Sequence, residues 1–162
     1  KLMAFLVPSR THIRQYKRYL DDIRSEVQSI NNDFSTAEWE PISTFYDNNY
    51  TQAIAGLKLY DVLMINPVID GMNLLAKEGP IVNKKSGVLI LSTTAGAHEQ
   101  FMGKVISVAP TDIIGISEAL ETAISKTPRE RVEWHNKLLE QVKSEDILWW
   151  IQRQLDDLSA LA

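Results

Sequence analysis

The chain has 162 residues, of which 44% are hydrophobic and 23% charged, as in a globular domain with its own core. Its formal net charge of −4 argues against broad non-specific binding of nucleic acid. With no cysteine, disulfides, thiol catalysis and cysteine zinc sites are excluded. No apolar run approaches the roughly 20 residues that cross a bilayer, and no signal peptide is recognised, so we expect a cytoplasmic protein without a membrane partner.

Five short runs rich in apolar and β-branched residues have the length of β-strands. They span residues 3–7, 41–46, 62–66, 88–92 and 105–109. Between these runs, apolar residues recur with helical spacing, which predicts helices. The predicted helices span residues 11–34, 50–60, 73–83, a short stretch near Gly96, and 111–125. The segment that begins at Pro128, residues 128–162, is predicted to form two C-terminal helices.

Three local features predict where these helices begin and end. Thr11 is the expected cap of the first long helix, and Thr111-Asp112 caps the helix that runs to about Ser125. Gly79-Pro80 is expected to disturb or end the helix that begins at residue 73, because proline lacks the N–H that a helix interior requires.

Strands that alternate with helices predict an α/β fold, in which βαβ units build a Rossmann-like parallel sheet with helices on both faces. No repeat, low-complexity segment or linker interrupts the pattern, so residues 1–162 are predicted to form a single domain. In such sheets ligands bind beyond the carboxyl ends of the strands. The segment NPVIDGMNLLAKE, residues 66–78, lies at one such end.

This segment carries more polar groups than a plain corner needs. A helix N-terminus presents N–H groups without internal partners and favours phosphate, and Gly71 lets the backbone approach a ligand closely. Asp70 precedes the helix and Glu78 lies two turns further on, where carboxylates can accept sugar or ribose hydroxyls. The pattern fits a nucleotide sugar. It also fits a structural corner, with Asp70 as the helix cap and Lys77 and Glu78 in solvent.

Four stretches resemble blocks of one known family, in the same order: PSR (8–10), DVLMINPVIDGMNLLAKE (61–78), GVLILSTTAGAHEQ (87–100) and VISVAPTDIIGISEALETAI (105–124). That family is the trehalose-6-phosphate synthases, retaining glycosyltransferases of the glycosyltransferase-B architecture. The most specific block is the second, in which a strand ends in a Pro-containing loop followed by D-G-M-N-L-x-A-K-E. The resemblance covers almost the whole chain.

The resemblance implies the C-terminal, sugar-nucleotide-binding half of a glycosyltransferase-B fold. In the family this domain begins with a strand and loop that carry R-x4-K-G, a clamp for the diphosphate, and no such motif precedes Lys1. We therefore expect residues 1–162 to be N-terminally incomplete, without the first βα unit and without the N-terminal domain as a partner. The isolated chain is then expected to be inactive.

The family motif also implies site residues. Asp70 is the candidate catalytic residue, because it should accept hydrogen bonds from hydroxyls of the donor glucose. The candidate donor-binding residues are Asp70, Gly71, Met72, Asn73, Leu74 and Glu78. In this set the backbone of residues 71–74 faces the sugar and diphosphate, and Glu78 holds the ribose diol. Arg10 matches an arginine near the acceptor phosphate; its alternative role is that of a solvated residue at a helix start.

The reaction implied is transfer of glucose from UDP-glucose to glucose-6-phosphate with retention of anomeric configuration, in which catalysis rests on positioning and on stabilising the departing UDP. The chain has no Asp-x-Asp, so neither a metal nor another cofactor is expected. The chain departs from the family pattern at Ile69, where an arginine and its charged contact are lost, and at residues 79–83, a variant of relatives whose acceptor is less certain. Another phosphorylated acceptor such as glycerol-3-phosphate therefore stays open. The sequence also leaves open GDP- or ADP-glucose as donor and a non-catalytic nucleotide-sugar-binding module.

Overall fold

A computed structural model describes residues 1–161, and the chain divides into two compact units, Lys1–Gly56 and Leu57–Ala162. The elements follow in the order β1 (Leu2–Leu6), α1 (Arg14–Phe34), β2 (Ile42–Tyr46), α2 (Tyr50–Leu59), β3 (Val62–Ile65), α3 (Leu74–Val82), β4 (Val88–Ser92), α4 (Ala97–Phe101), β5 (Ile106–Val108), α5 (Ile113–Ser125), α6 (Pro128–Ser144) and α7 (Ile147–Ala160). Each predicted strand is therefore confirmed to within one residue at either end. That residues 1–162 form a single, N-terminally incomplete domain stays a prediction.

The first unit contains a βαβ arrangement in which β1 and β2 pair in parallel. Phe5 lies opposite Phe45 in this register, and their rings stack with centroids 5.0 Å apart. Asn31 of α1 fixes the start of β2, because its side-chain amide donates to the Ile42 carbonyl at 2.8 Å and its side-chain oxygen accepts the Ile42 N–H at 3.0 Å. A single side chain thus ties the helix to the strand that follows it.

The cap predicted at Thr11 is wrong. Helix α1 begins at Arg14, and its N-cap residue, Ile13, makes no side-chain cap bond. The Ile13 N–H donates instead to the Arg10 carbonyl at 2.9 Å, and Arg10 has a positive φ of 49°. This turn diverts the backbone away from helical geometry, so the helix starts three residues later than the apolar spacing indicates.

The second unit is built on a parallel sheet with the strand order β3-β4-β5. Every residue of β4 is buried. Leu89 and Leu91 contribute to a core shared with α3, α4 and α6, whereas Val88 and Ile90 contribute to a second core shared with α5. Burial of each such side chain is worth about 1.5–3 kcal/mol. The predicted α/β fold, with parallel strands and helices on both faces of the sheet, is confirmed.

Helix α3 continues through Gly79-Pro80 to Val82, so the expectation that this dipeptide ends the helix is wrong. Both residues are buried, and a Cβ atom on Gly79 would lie 2.6 Å from the Leu63 side chain of β3. Glycine at this position therefore lets helix and strand pack closely without any movement of the Leu63 side chain. That packing holds the helix together past the proline, until Asn83 caps it by donating its N–H to the Gly79 carbonyl at 3.0 Å.

The two helices predicted over 128–162 are α6 and α7, and Ala162 lies outside the described residues. Helix α6 begins with a reciprocal capping box formed by Thr127 and Glu130. Each side chain of α7 is exposed. Within residues 1–161, no helix combines the length and the apolar character that crossing a membrane requires.

His135 of α6 is buried, with 7% of its surface exposed. Burial lowers the pKa of its imidazole, and a hydrogen bond with the Gly87 backbone opposes this effect in part. The unfolded chain therefore takes up a proton near pH 6.5 that the folded protein resists. Stability supplied by the neutral ring is present above this pH and is lost as the pH falls below it.

We expect the free energy of unfolding in urea to decrease between about pH 7.5 and about pH 5.5, and we expect His135→Gln to flatten that decrease. Carboxylates whose pKa is lowered in the folded protein, such as that of Glu130, change stability only as the pH falls to about their ordinary pKa of 4.5 and below. They therefore do not contribute to the change in stability between about pH 7.5 and about pH 5.5. His12→Gln, at an exposed position before α1, is the matched control and should keep the wild-type slope. A wild-type slope in His135→Gln would contradict the prediction.

Candidate donor-sugar site

Asp70 lies in the corner that joins β3 to α3, at the carboxyl end of β3, and it is exposed. Its Oδ1 accepts the Gly71 N–H at 2.8 Å, and its Oδ2 accepts the side-chain amide of Asn73 at 2.7 Å. These two bonds fix the orientation of the carboxylate. Because an ionised carboxylate offers about four lone-pair positions, each oxygen can still accept a further donor from a ligand.

Asn73, rather than Asp70, caps α3, so the structural role first considered for Asp70 is wrong. Its side-chain oxygen accepts the Ala76 N–H at 3.2 Å, and its backbone has a positive φ of 59°. Asparagine tolerates this conformation better than most residues that carry a Cβ. The same amide side chain therefore caps the helix with its oxygen and orients Asp70 with its nitrogen.

The start of α3 presents unused donors beside Asp70. Within the described part of the chain, the N–H groups of Met72, Asn73 and Leu74 have no acceptor. Such groups carry the positive end of the helix dipole and attract anions. The structure thus brings the predicted residues 70–74 together as one carboxylate followed by three consecutive amide donors.

Glu78 lies in the second turn of α3, on the same helix as these donors. It is half-buried and makes no salt bridge with any of residues 1–161. Lys77 is also half-buried, with its Nζ 6.0 Å from the centre of the Phe101 ring. Both side chains are partly exposed, so the structural alternative for this pair stays open.

The loop after β4 contacts the corner through several hydrogen bonds. The Asp70 N–H donates to the Thr94 carbonyl at 3.3 Å, and the Gly96 N–H donates to the Gly71 carbonyl at 2.6 Å. The Thr94 hydroxyl donates to the Pro67 carbonyl at 3.0 Å. Sequence reasoning missed these residues. The one available signal was the glycine in A-G-A, at a position where a helix is about to begin.

Arg10 belongs to the first unit. It is exposed, its guanidinium donates to the Tyr16 hydroxyl, and its Cζ lies 5.3 Å from the centre of the Tyr16 ring. A positive φ costs a residue with a Cβ about 1–2 kcal/mol. Strain of this kind is often retained where the side chain serves a function.

No cluster of three or more His, Cys, Asp or Glu side chains with metal-binding geometry occurs among the described residues. The site as the structure shows it thus consists of an oriented carboxylate at Asp70, free amides at the start of α3, and Glu78 further along that helix. Free amides at a helix start attract phosphate, and carboxylates accept sugar hydroxyls.

Residues 1–160 match glycosyltransferase family 20. The chain belongs to this family. Its relatives include the trehalose-6-phosphate synthase of Sodalis glossinidius, which is 34% identical over 158 residues and 94% of this chain. They also include the validamine 7-phosphate valienyltransferase of Streptomyces hygroscopicus, which is 28% identical over 160 residues and 99% of this chain. The matches cover 33% and 32% of those proteins, so the chain spans about a third of their length.

Solved structures of family 20 enzymes have the same fold. A UDP-forming α,α-trehalose-phosphate synthase from Burkholderia xenovorans superimposes with a TM-score of 0.88 at 30% identity, over 98% of this chain and 36% of that one. A trehalose-6-phosphate structure from E. coli bound with UDP-2-fluoro glucose gives a TM-score of 0.87 at 26% identity, over 96% of this chain and 35% of that one. The resemblance to the trehalose-6-phosphate synthases and the glycosyltransferase-B fold class are confirmed.

The two roles of Asn73 make a prediction about stability. Asn73→Ala removes the cap of α3 and places alanine at a positive φ, so we expect it to lower the free energy of unfolding by about 1–3 kcal/mol. Asn73→Gly loses the same hydrogen bonds but accepts the backbone angle, and should cost less.

Urea denaturation of both variants tests this, with the same pair of changes at Asp112 as the control. Asp112 caps α5 by accepting the Gly115 N–H at 2.9 Å, and its φ of −87° is ordinary. The difference between alanine and glycine should be larger at position 73 by about 1 kcal/mol. Equal differences at the two positions would show that the backbone of Asn73 is not strained.

Proposed function

We propose that this chain carries the donor site of a retaining glucosyltransferase that moves glucose from UDP-glucose to glucose-6-phosphate. The observation that carries the proposal is the corner at Asp70, where an exposed and oriented carboxylate stands beside free amides at a helix start. Two relatives support the choice of ligands. The E. coli structure is bound with UDP-2-fluoro glucose, and a Burkholderia xenovorans synthase was solved in complex with glucose-6-phosphate.

Each polar group then has a partner on the donor. The Asp70 carboxylate accepts hydroxyls of the glucose, and the N–H groups of residues 72–74 donate to the diphosphate. Glu78, about 6 Å further along the helix axis than Leu74, accepts both hydroxyls of the ribose. Helix α3 and the loop before it would thus bind the whole donor, from its sugar to its nucleoside.

The chemistry follows from this placement. As the bond from glucose C1 to the diphosphate oxygen breaks, negative charge grows on the departing UDP, and the start of α3 stabilises it. The acceptor hydroxyl oxygen bonds to C1 on the same face, and its proton passes to the leaving phosphate oxygen. Asp70 contributes by holding the sugar, since positioning alone can lower the barrier by several kcal/mol (about 7–11 in the best cases).

Calorimetric titrations with UDP-glucose and with UDP test the donor site. We expect Asp70→Ala to weaken binding of UDP-glucose by about 10- to 100-fold, as loss of a hydrogen bond to a charged group does, while UDP binding changes little. Glu78→Ala should weaken binding of both ligands by a similar factor, because both contain the ribose.

Matched controls remove a carboxylate elsewhere on the second unit. Asp112→Ala changes another helix cap, and Glu118→Ala changes an exposed glutamate of α5; both should bind like wild type. Unchanged UDP-glucose affinity in both Asp70→Ala and Glu78→Ala would contradict the assignment. Titration with GDP-glucose and ADP-glucose decides the base preference.

We further propose that Arg10 binds the phosphate of the acceptor. Its guanidinium contacts the neutral Tyr16 hydroxyl and forms no salt bridge within residues 1–161, so its charge is available to an anion. We expect Arg10→Gln to weaken binding of glucose-6-phosphate by about ten-fold. Binding of glucose, which lacks the phosphate, should be unaffected.

Titration followed by ³¹P NMR measures this binding, and Arg14→Gln is the control because Arg14 is an exposed arginine on the same segment. Glycerol-3-phosphate in place of glucose-6-phosphate separates the two acceptor classes. Equal affinity of wild type and Arg10→Gln for glucose-6-phosphate would remove Arg10 from the site.

A further inference from the structure

The backbone angles of Gly96 do not require a glycine. Its φ of −59° and ψ of −29° are right-handed helical, a conformation in which alanine is more favourable than glycine. The constraint comes from the corner, because the Gly96 N–H donates to the Gly71 carbonyl at 2.6 Å. A Cβ atom at position 96 would collide with that oxygen and lie 3.0 Å from the carbonyl carbon. Any larger residue would push the Gly71 backbone away.

Thr94 makes a second connection, which leads back to the buried strand β4. Ser92 is fully buried at the end of that strand, and its Oγ lies 2.7 Å from the Thr94 Oγ1. Since the Thr94 hydroxyl donates to the Pro67 carbonyl at 3.0 Å, the Ser92 hydroxyl is the donor to Thr94. A directed chain of hydrogen bonds thus runs from the core to the residues just before Asp70.

The backbone of the two loops is paired as well. Asp70 forms an isolated parallel bridge with Ala95, whose surface is only 3% exposed. The segment 94–96 therefore contacts the corner on both sides of the Asp70 carboxylate, at Pro67 and at Gly71.

We propose that Thr94 and Gly96 are positioning residues of the donor site, which hold the segment 67–71 so that the Asp70 carboxylate meets the glucose of the nucleotide sugar. The inference rests on the proposed function, which assigns the glucose to Asp70. Neither residue touches the donor. Each acts through the backbone of the corner.

This role predicts a selective defect. Glu78 lies in the second turn of α3, beyond the corner itself, where Ala76 and Gly79 are buried and a Cβ atom on Gly79 would meet Leu63 of β3. A shift of the corner should therefore disturb the contact with the sugar and spare the contact with the ribose. A general loss of stability would weaken UDP-glucose and UDP alike, so the ratio of the two affinities separates positioning from folding.

The experiment titrates UDP-glucose and UDP into the 162-residue chain and its variants by calorimetry. Gly96→Ala should weaken UDP-glucose by about ten-fold or more, as a displaced site does. Thr94→Val, which loses the hydroxyl but keeps the shape, should weaken it by about 3- to 10-fold. Both should weaken binding of UDP by a smaller factor than binding of UDP-glucose, because UDP keeps its ribose contact at Glu78. The amide NMR signals of Asp70 and Gly71 should shift in the ligand-free variants.

Three further variants act as controls. Thr94→Ser restores the hydroxyl and should restore wild-type binding. Thr93→Val makes the same change at the adjacent exposed threonine, whose side chain makes no hydrogen bond within residues 1–161, and should have no effect. Gly115→Ala adds the same methyl group to the first turn of α5, where the nearest atoms belong to the capping carboxylate of Asp112. It disturbs a helix cap outside the corner and should also bind like wild type.

The outcomes distinguish the two proposals. If wild type binds neither ligand, the proposed function fails and the positioning role fails with it. If wild type binds UDP-glucose but Thr94→Val and Gly96→Ala match it, or lose both ligands equally, the positioning role is overturned while the donor site stands. If Gly96→Ala does not fold, Thr94→Val compared with Thr94→Ser decides the matter alone.

Discussion

The complete burial of β4 is the constraint on which the second unit depends. Its side chains alternate between two cores, so helices must cover both faces of the sheet, and the strand must lie between β3 and β5. Where the helices approach the sheet, small residues such as Ala76, Ala97 and Ala123 are buried. These small side chains let the helices lie close to the strands. The loops at the carboxyl ends of the strands therefore have little conformational freedom.

The candidate site follows from that rigidity. Asp70 is exposed, yet the backbone of Asp70 and Gly71 is bonded to the loop that leaves β4, and Ser92 at the end of that strand is buried. An exposed carboxylate on a backbone held by neighbouring hydrogen bonds is suited to orienting a bound ligand. The chain belongs to glycosyltransferase family 20, and its relatives include a trehalose-6-phosphate synthase and a validamine 7-phosphate valienyltransferase.

Much of the fold could be predicted, because strand-length apolar runs and 3–4 spacing are local signals. Predictions failed where a distant contact or an unusual turn decided the outcome. Arg10 at positive φ moved the start of α1, and packing against Leu63 carried α3 past Pro80. The site motif located Asp70 and Glu78, whereas the roles of Asn73 and Gly96 depend on hydrogen bonds and close contacts that residue types alone do not reveal. The alternation of strands and helices predicted parallel pairing, but not which strands are neighbours.

The most direct test of the account is a crystal structure of this chain with UDP-glucose bound. In that structure we expect glucose hydroxyls within hydrogen-bonding distance of the Asp70 carboxylate, the diphosphate at the start of α3, and the ribose diol on Glu78. A nucleotide sugar bound elsewhere on the chain, or bound at α3 with its glucose pointing away from Asp70, would contradict it.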